Sequence, residues 1–296
     1  MIVMIEINGV ITALLTPLKN SDKLDVEGLR ELIEFQIKSG VNGFFVSGTT
    51  GESILLGIDL RKKLIEKVRE LTSEKVTIIF QVGSANIRDV RELVNHAYEI
   101  GVNLIASFPP LYYPYDRESL INYYVKFARM RNLSIFIYNI PPRTGINIDY
   151  EIINEMRKET SNIIGIKDSS GDLKNTLKYL KIKDFNVLMG SDTLSLPGLV
   201  AGCNGLVSAL SNVFPELFVK MYESFRKGNL DKAQELYSKI TYLRTLLGKY
   251  PYIASYKVAL NLRGLAISNI VSEPLRPLND NEIKKMKQEL DEFIES

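Results

Sequence analysis

Histidine and cysteine are nearly missing from this 296-residue chain: His96 and Cys203 are the only residues of their kinds. A single cysteine excludes an intramolecular disulfide framework. His96 lies in RELVNHAYEI, whose spacing is helical, and it reads as an ordinary helix residue. Ser-His-Asp triads, Cys-His pairs and histidine-rich zinc sites are therefore not expected within one chain. Net charge is scarce as well. Lys+Arg 37 against Asp+Glu 35 leaves +2, with no basic block or stripe, so no nucleic-acid partner is expected. Long apolar runs are lacking too. MIVMIEINGVITALLTP is apolar but short, has no basic leader and contains Glu6, so it reads as neither a signal peptide nor a membrane span. A cytoplasmic protein is the default expectation, and any catalyst must work with Lys, Tyr, Ser, Thr, Arg or carboxylates.

Apolar residues make up 45% of the chain, ample for a sizeable core. Short strand-like runs recur along it: VITALLT (10–16), NGFFVSG (42–48), VTIIFQV (76–82), VNLIASF (102–108), LSIFIYN (133–139), NIIGIKD (162–168), FNVLMGS (185–191) and GLVSAL (205–210). Amphipathic segments of helical period, such as VEGLRELIEFQIKSG, separate most of them. Alternating strands and helices imply parallel βαβ units, and eight such units favour a closed (β/α)8 TIM barrel. Gly40, Gly101 and Gly202 fall where helices should end and suit left-handed C-caps. Beyond the eighth strand there is more helix than a barrel needs. The expected organisation is a barrel over residues 1–228 and a helical region over 229–296 packed on it.

In such barrels the active site lies at the C-terminal ends of the strands. Those ends carry SGTTGES, SFPPLYYPYDRES, YNIPPRTG, KDSSGD and GSD. Lys167 closes the sixth run. A lysine amine in water is roughly 0.1% neutral or less at pH 7. Desolvation inside a barrel would lower its pKa, and a neutral amine forms a Schiff base with a carbonyl substrate. Tyr138, at the end of the neighbouring strand, is the natural acid/base. The plain alternative is a strand-end lysine paired with Asp168 or a helix terminus. Gly48, Thr49, Thr50 and Gly51 can hold a carboxylate or phosphate at a helix start, or simply form a turn. Arg143 can clamp a carboxylate or be an ordinary surface arginine. Tyr112, Tyr113 and Tyr115 can form a core patch, a lid or an interface.

Taken together and in this order, GTTGES, YNIPPRTG, GIKDSSGD and GSD resemble the pyruvate-dependent class I aldolases, the dihydrodipicolinate synthase and N-acetylneuraminate lyase family. The resemblance covers essentially the whole chain. It implies that Lys167 forms a Schiff base with pyruvate and that Tyr138 moves protons. Thr50 would link Tyr138 to a second tyrosine, Tyr112, from a neighbouring subunit, with Tyr113 in reserve. Thr49 and Thr50 would hold the pyruvate carboxylate, Arg143 the carboxylate of the second substrate, and Gly190 and Val207 the pocket wall. Such enzymes are typically homotetramers, dimers of dimers, without metal or organic cofactor. YNIPPRTG with Arg143 resembles the synthase branch, which condenses pyruvate with aspartate semialdehyde. GIKDSSGD also resembles aldolases of 2-keto-3-deoxy sugar acids, and a non-catalytic keto-acid-binding barrel is a more distant possibility. Ile58, Arg61, Val90 and Leu111 stand where a lysine-feedback site would carry two histidines, a glutamate and a tyrosine, so feedback is not implied. Asp168, Ser169 and Ser170 read as turn and capping residues.

Overall fold

The computed structural model describes residues 7–295, so the first six residues of the segment MIVMIEINGVITALLTP, read above as neither signal peptide nor span, lie outside them. Eight strands appear in the expected places: β1 Gly9–Ala13, β2 Gly43–Val46, β3 Thr77–Gln81, β4 Leu104–Ser107, β5 Ser134–Asn139, β6 Ile163–Asp168, β7 Asn186–Met189 and β8 Gly205–Ser208. They close into a barrel in the order β1-β8-β7-β6-β5-β4-β3-β2. The pairings from β3 to β8 are all parallel. Residues of β5 and β6 are buried throughout, without alternation. A parallel sheet covered on both faces produces that pattern, because outward side chains meet helices rather than water.

The described residues divide into two compact units. One comprises the chain up to Ile11, Asn42–Phe45 and Val76–Val207, and so holds nearly all of the strand residues. Four of its helices start on side-chain caps. Asn86, Asp116, Asp149 and Asp172 each accept a hydrogen bond from a backbone N–H in the first turn, satisfying a donor that the helix itself cannot. Helix Ile87–Glu99 buries Val90, Leu93, Val94 and Ala97, one face at i, i+3, i+4 and i+7, and contains His96 as expected.

The other unit comprises Thr12–Val41, Val46–Lys75 and the chain from Ser208 on. It holds helices Val26–Lys38, Ile58–Leu71, Pro215–Arg226, Leu230–Leu247, Ala254–Leu262 and Asp280–Glu295. The expected surplus of C-terminal helices is therefore present, and position 228 falls inside this unit. It also holds an antiparallel pair, Leu18–Asn20 with Lys23–Leu24, that the sequence did not announce. Strands of three and two residues are too short for any period to register.

Six of the eight strands stop one to three residues before their apolar runs do, the first two among them. β1 ends at Ala13 and β2 at Val46. In β2 the cause is local, since Ser47 has φ 58 and leaves the extended region. Gly40, Gly101 and Gly202 take φ 89, 74 and 110, the left-handed helix ends expected of them.

Candidate active site

Lys167 and Tyr138 are register partners on β6 and β5, and Asn139 and Asp168 form the next pair. That alignment depends on an irregularity. Ile135 pairs with Ile163, but Phe136 pairs with Gly165, so the register skips Ile164. Without the extra residue, Lys167 would stand opposite Asn139. Side chains alternate between faces along a strand, so a slip of one residue would turn the amine away from the Tyr138 side. Gly165 makes the step possible. A Cβ there would lie 2.4 Å from Phe136 Cε1 and 2.7 Å from the carbonyl oxygen of Asn186. Gly165→Ala is expected to destabilise the fold by roughly 1–3 kcal/mol through overpacking, read as a lower urea midpoint at unchanged m-value.

The Lys167 amine is 4% exposed. Its Nζ lies 4.0 Å from the Phe45 ring centroid and 4.1 Å from that of Tyr138. The two rings meet edge to face, 5.2 Å apart. Burial pulls the amine down from its ordinary 10.5 to about 7, against the Asp192 carboxylate, which favours the ammonium form. Near neutral pH, then, about half of the amine is neutral and nucleophilic. Tyr138 is buried beside it. Geometry and protonation state both suit attack on a carbonyl carbon.

The residues following this pair face the other way and form a satisfied polar network. Asn139 Nδ2 donates to Asn147 Oδ1 at 2.9 Å, Tyr179 Oη at 3.2 Å and Asp168 Oδ1 at 3.3 Å, and its Oδ1 accepts from Ile148 N at 3.0 Å. Asp168 also accepts from Thr176 Oγ1 at 2.7 Å and Ser170 N at 3.1 Å. Asp168 is thus a buried carboxylate held by its own turn and the following helix, and it is not the ion-pair partner of Lys167. Ser169 donates from its hydroxyl to the Gly190 carbonyl at 3.2 Å. Gly190 is tightly confined, because a Cβ would fall 2.1 Å from Ser169 Oγ and 2.9 Å from the backbone carbonyl oxygen of Asp168. Asp168 and Ser170 therefore take the turn roles expected of them, whereas the cap of the following helix is Asp172 and Ser169 instead bridges to the next strand's end.

The remaining candidates are distributed as follows. Arg143 is exposed on the single turn Pro141–Thr144. Asn139 closes the base of this excursion through Asn147 and Ile148. Val207 is buried in β8. Tyr112 is 90% exposed, has φ 81 and packs its ring against Tyr113, so its side chain is turned outward. In the second unit, Thr49 and Thr50 lie on the loop that follows Ser47. The Thr50 hydroxyl meets the Tyr252 hydroxyl at 3.0 Å. Among the described residues, no group of three or more His, Cys, Asp or Glu could hold a metal ion. No helix among them is long and apolar enough to cross a membrane.

A family model, the dihydrodipicolinate synthetase family, matches residues 6–293. The chain belongs to this family. Among curated members, the 4-hydroxy-tetrahydrodipicolinate synthase of Methanopyrus kandleri is 34% identical over 288 residues, covering 96% of each chain. Among solved family structures, YagE, a prophage protein from E. coli K12 in complex with pyruvate, superposes with TM-score 0.92 at 27% identity, covering 97% of this chain and 98% of that one. The dihydrodipicolinate synthase of Thermotoga maritima superposes with TM-score 0.90 at 31% identity, covering 97% and 99%.

Some contacts of the candidate residues were less legible in the sequence than others. Phe45 sits in a plain apolar run, and nothing in NGFFVSG marks one phenylalanine as a platform for an amine. Asp192 was within reach, because it belongs to the GSD motif at a strand end. Tyr252 is 202 positions from Thr50, beyond any local pattern.

Proposed function

We propose that the protein is a Schiff-base lyase, a 4-hydroxy-tetrahydrodipicolinate synthase that condenses pyruvate with aspartate semialdehyde. The observation that carries this is the buried Lys167 amine, held at about 7 between two aromatic rings and in register with Tyr138. The neutral amine adds to the pyruvate keto carbon, and loss of water leaves a protonated imine. That imine draws electrons from the methyl carbon, which loses a proton and becomes an enamine nucleophile. The enamine attacks the aldehyde carbon of the second substrate. Tyr138 carries protons in both steps, with Thr50 and the partner subunit's Tyr112 completing the relay. Thr49 and Thr50 receive the pyruvate carboxylate, Arg143 the carboxylate of the semialdehyde, and Gly190 and Val207 wall the pocket. Residues 1–228 serve as the catalytic barrel and 229–296 as its helical region, in a cytoplasmic homotetramer. The names of the curated relatives support this choice of substrates.

An aldehyde panel tests it. Wild-type protein and Arg143→Ala are assayed with pyruvate plus either aspartate semialdehyde or a sugar-derived aldehyde. Loss of a charge-assisted pair with a carboxylate is worth roughly 1.5–3 kcal/mol. Arg143→Ala should therefore lower kcat/KM for aspartate semialdehyde by about 10- to 100-fold and leave the sugar aldehyde nearly unchanged. An equal loss on both aldehydes would overturn the synthase assignment.

A further inference from the structure

The loop SGTTGE, residues 47–52, is strained at both ends. Ser47 has φ 58 and Glu52 has φ 62, although glycines stand next to each of them. A non-glycine residue in this region costs on the order of 1 kcal/mol or more and persists only where its surroundings over-determine it. Here the surroundings do so with two buried cations. Arg61, 3% exposed, donates from Nε to Ser47 Oγ at 2.9 Å. Lys257 donates from Nζ to Glu52 Oε1 at 2.6 Å and to the Ile270 carbonyl at 2.6 Å. The other carboxylate oxygen of Glu52 accepts from Ser272 N at 2.6 Å. Both side chains of this ion pair are fully buried. Between the two ends, Thr16 Oγ1 donates to the Gly51 carbonyl at 2.8 Å and Thr50 meets Tyr252 at 3.0 Å.

We infer that Arg61 and Lys257 are positioning residues for the carboxylate-receiving loop. Acting through Ser47 and Glu52, they hold it in the one strained shape that presents the Thr49 and Thr50 hydroxyls and amides to a substrate carboxylate. The inference rests on the functional reading given above, which assigns the pyruvate carboxylate to this loop. Stability alone is a weak reason for such a pair. Apolar residues of similar volume often replace buried ion pairs at no cost, or with a gain. A loop set before the ligand arrives, in contrast, binds without paying for its own ordering.

The test is the double variant Glu52→Leu/Lys257→Met in the full chain, with Glu52→Asp as a milder single change that keeps both charges. Borohydride-trapped adduct is titrated with pyruvate and with pyruvamide, which keeps the keto group but lacks the carboxylate, and unfolding temperature is followed in parallel. The double variant should need at least tenfold more pyruvate for half-saturation, with the limiting rate changed less than threefold. Its half-saturation with pyruvamide should stay near that of wild type, so discrimination between the two collapses. Glu52→Asp should move the same way by 3- to 10-fold, which decides the matter if the double variant does not fold. Unchanged pyruvate half-saturation, or equal losses on both probes as a merely structural role would give, would overturn the inference. Wild-type protein that forms no adduct would overturn the functional reading itself, and this inference with it.

Discussion

Lys167→Ala should lose the borohydride-trapped pyruvate adduct completely and lower turnover by about 10³-fold or more, as removal of a covalent nucleophile does. No neighbouring group can substitute. The amine sits between Phe45 and Tyr138, with Asp192 as the nearby charge, and none of these attacks a ketone to form an imine. Mass spectrometry of the intact chain after reduction reads the result directly. In the wild type, the rate of adduct formation should rise with pH and level off above pH 7, following deprotonation of an amine held at about 7. An adduct of wild-type yield in Lys167→Ala, or a rate still climbing steeply at pH 9, would remove Lys167 from the role.

The second large effect runs the other way. Lys167→Met should stabilise the fold while destroying activity. An amine whose pKa drops from 10.5 to about 7 on burial destabilises the folded state by roughly 4 kcal/mol at pH 7. That folded-state pKa already sums what the rings and Asp192 do for the ammonium form, so a net gain on the order of 4 kcal/mol or less is expected. The sign with pH follows from linkage. The folded pKa lies below the unfolded one, so between about pH 7 and pH 10.5 the unfolded chain binds more protons. This group therefore makes the wild type more stable as pH rises through that window, and its penalty is fully present below pH 7. The stability advantage of Lys167→Met in urea should be largest at and below pH 7 and shrink steadily toward pH 10. A difference independent of pH would show that the penalty is not one of protonation. Such a trade of stability for chemistry is what a functional buried charge entails.

Much of the candidate site could be proposed without coordinates because its determinants are local. Each strand is a short β-branched run bounded by turn residues, and parallel βαβ order follows from alternation alone. The rule that function gathers at the C-terminal strand ends then selects Lys167, Tyr138, Arg143 and the GTTGES loop. Asp168 was legible as a turn residue for the same reason, since an Asx turn reaches only two residues along. What could not be read are the pairings between distant positions. Glu52 and Lys257 lie 205 residues apart, and Lys257 looks like an ordinary helix lysine in YIASYKVALNLRG.

By itself, then, the sequence determined which barrel strands form, in what order, and that an amine stands near the end of the sixth. It could not say which way that amine points, because an unbroken buried run such as IIGIKD has no alternation to mark its faces. The tertiary structure decided it. The register step past Ile164, made possible where Gly165 passes close to Phe136 and the Asn186 carbonyl, sets Lys167 beside Tyr138 and sends Asp168 to the opposite side. Burial beside the Phe45 and Tyr138 rings, which that register provides, is what lowers the pKa of an ordinary lysine to about 7.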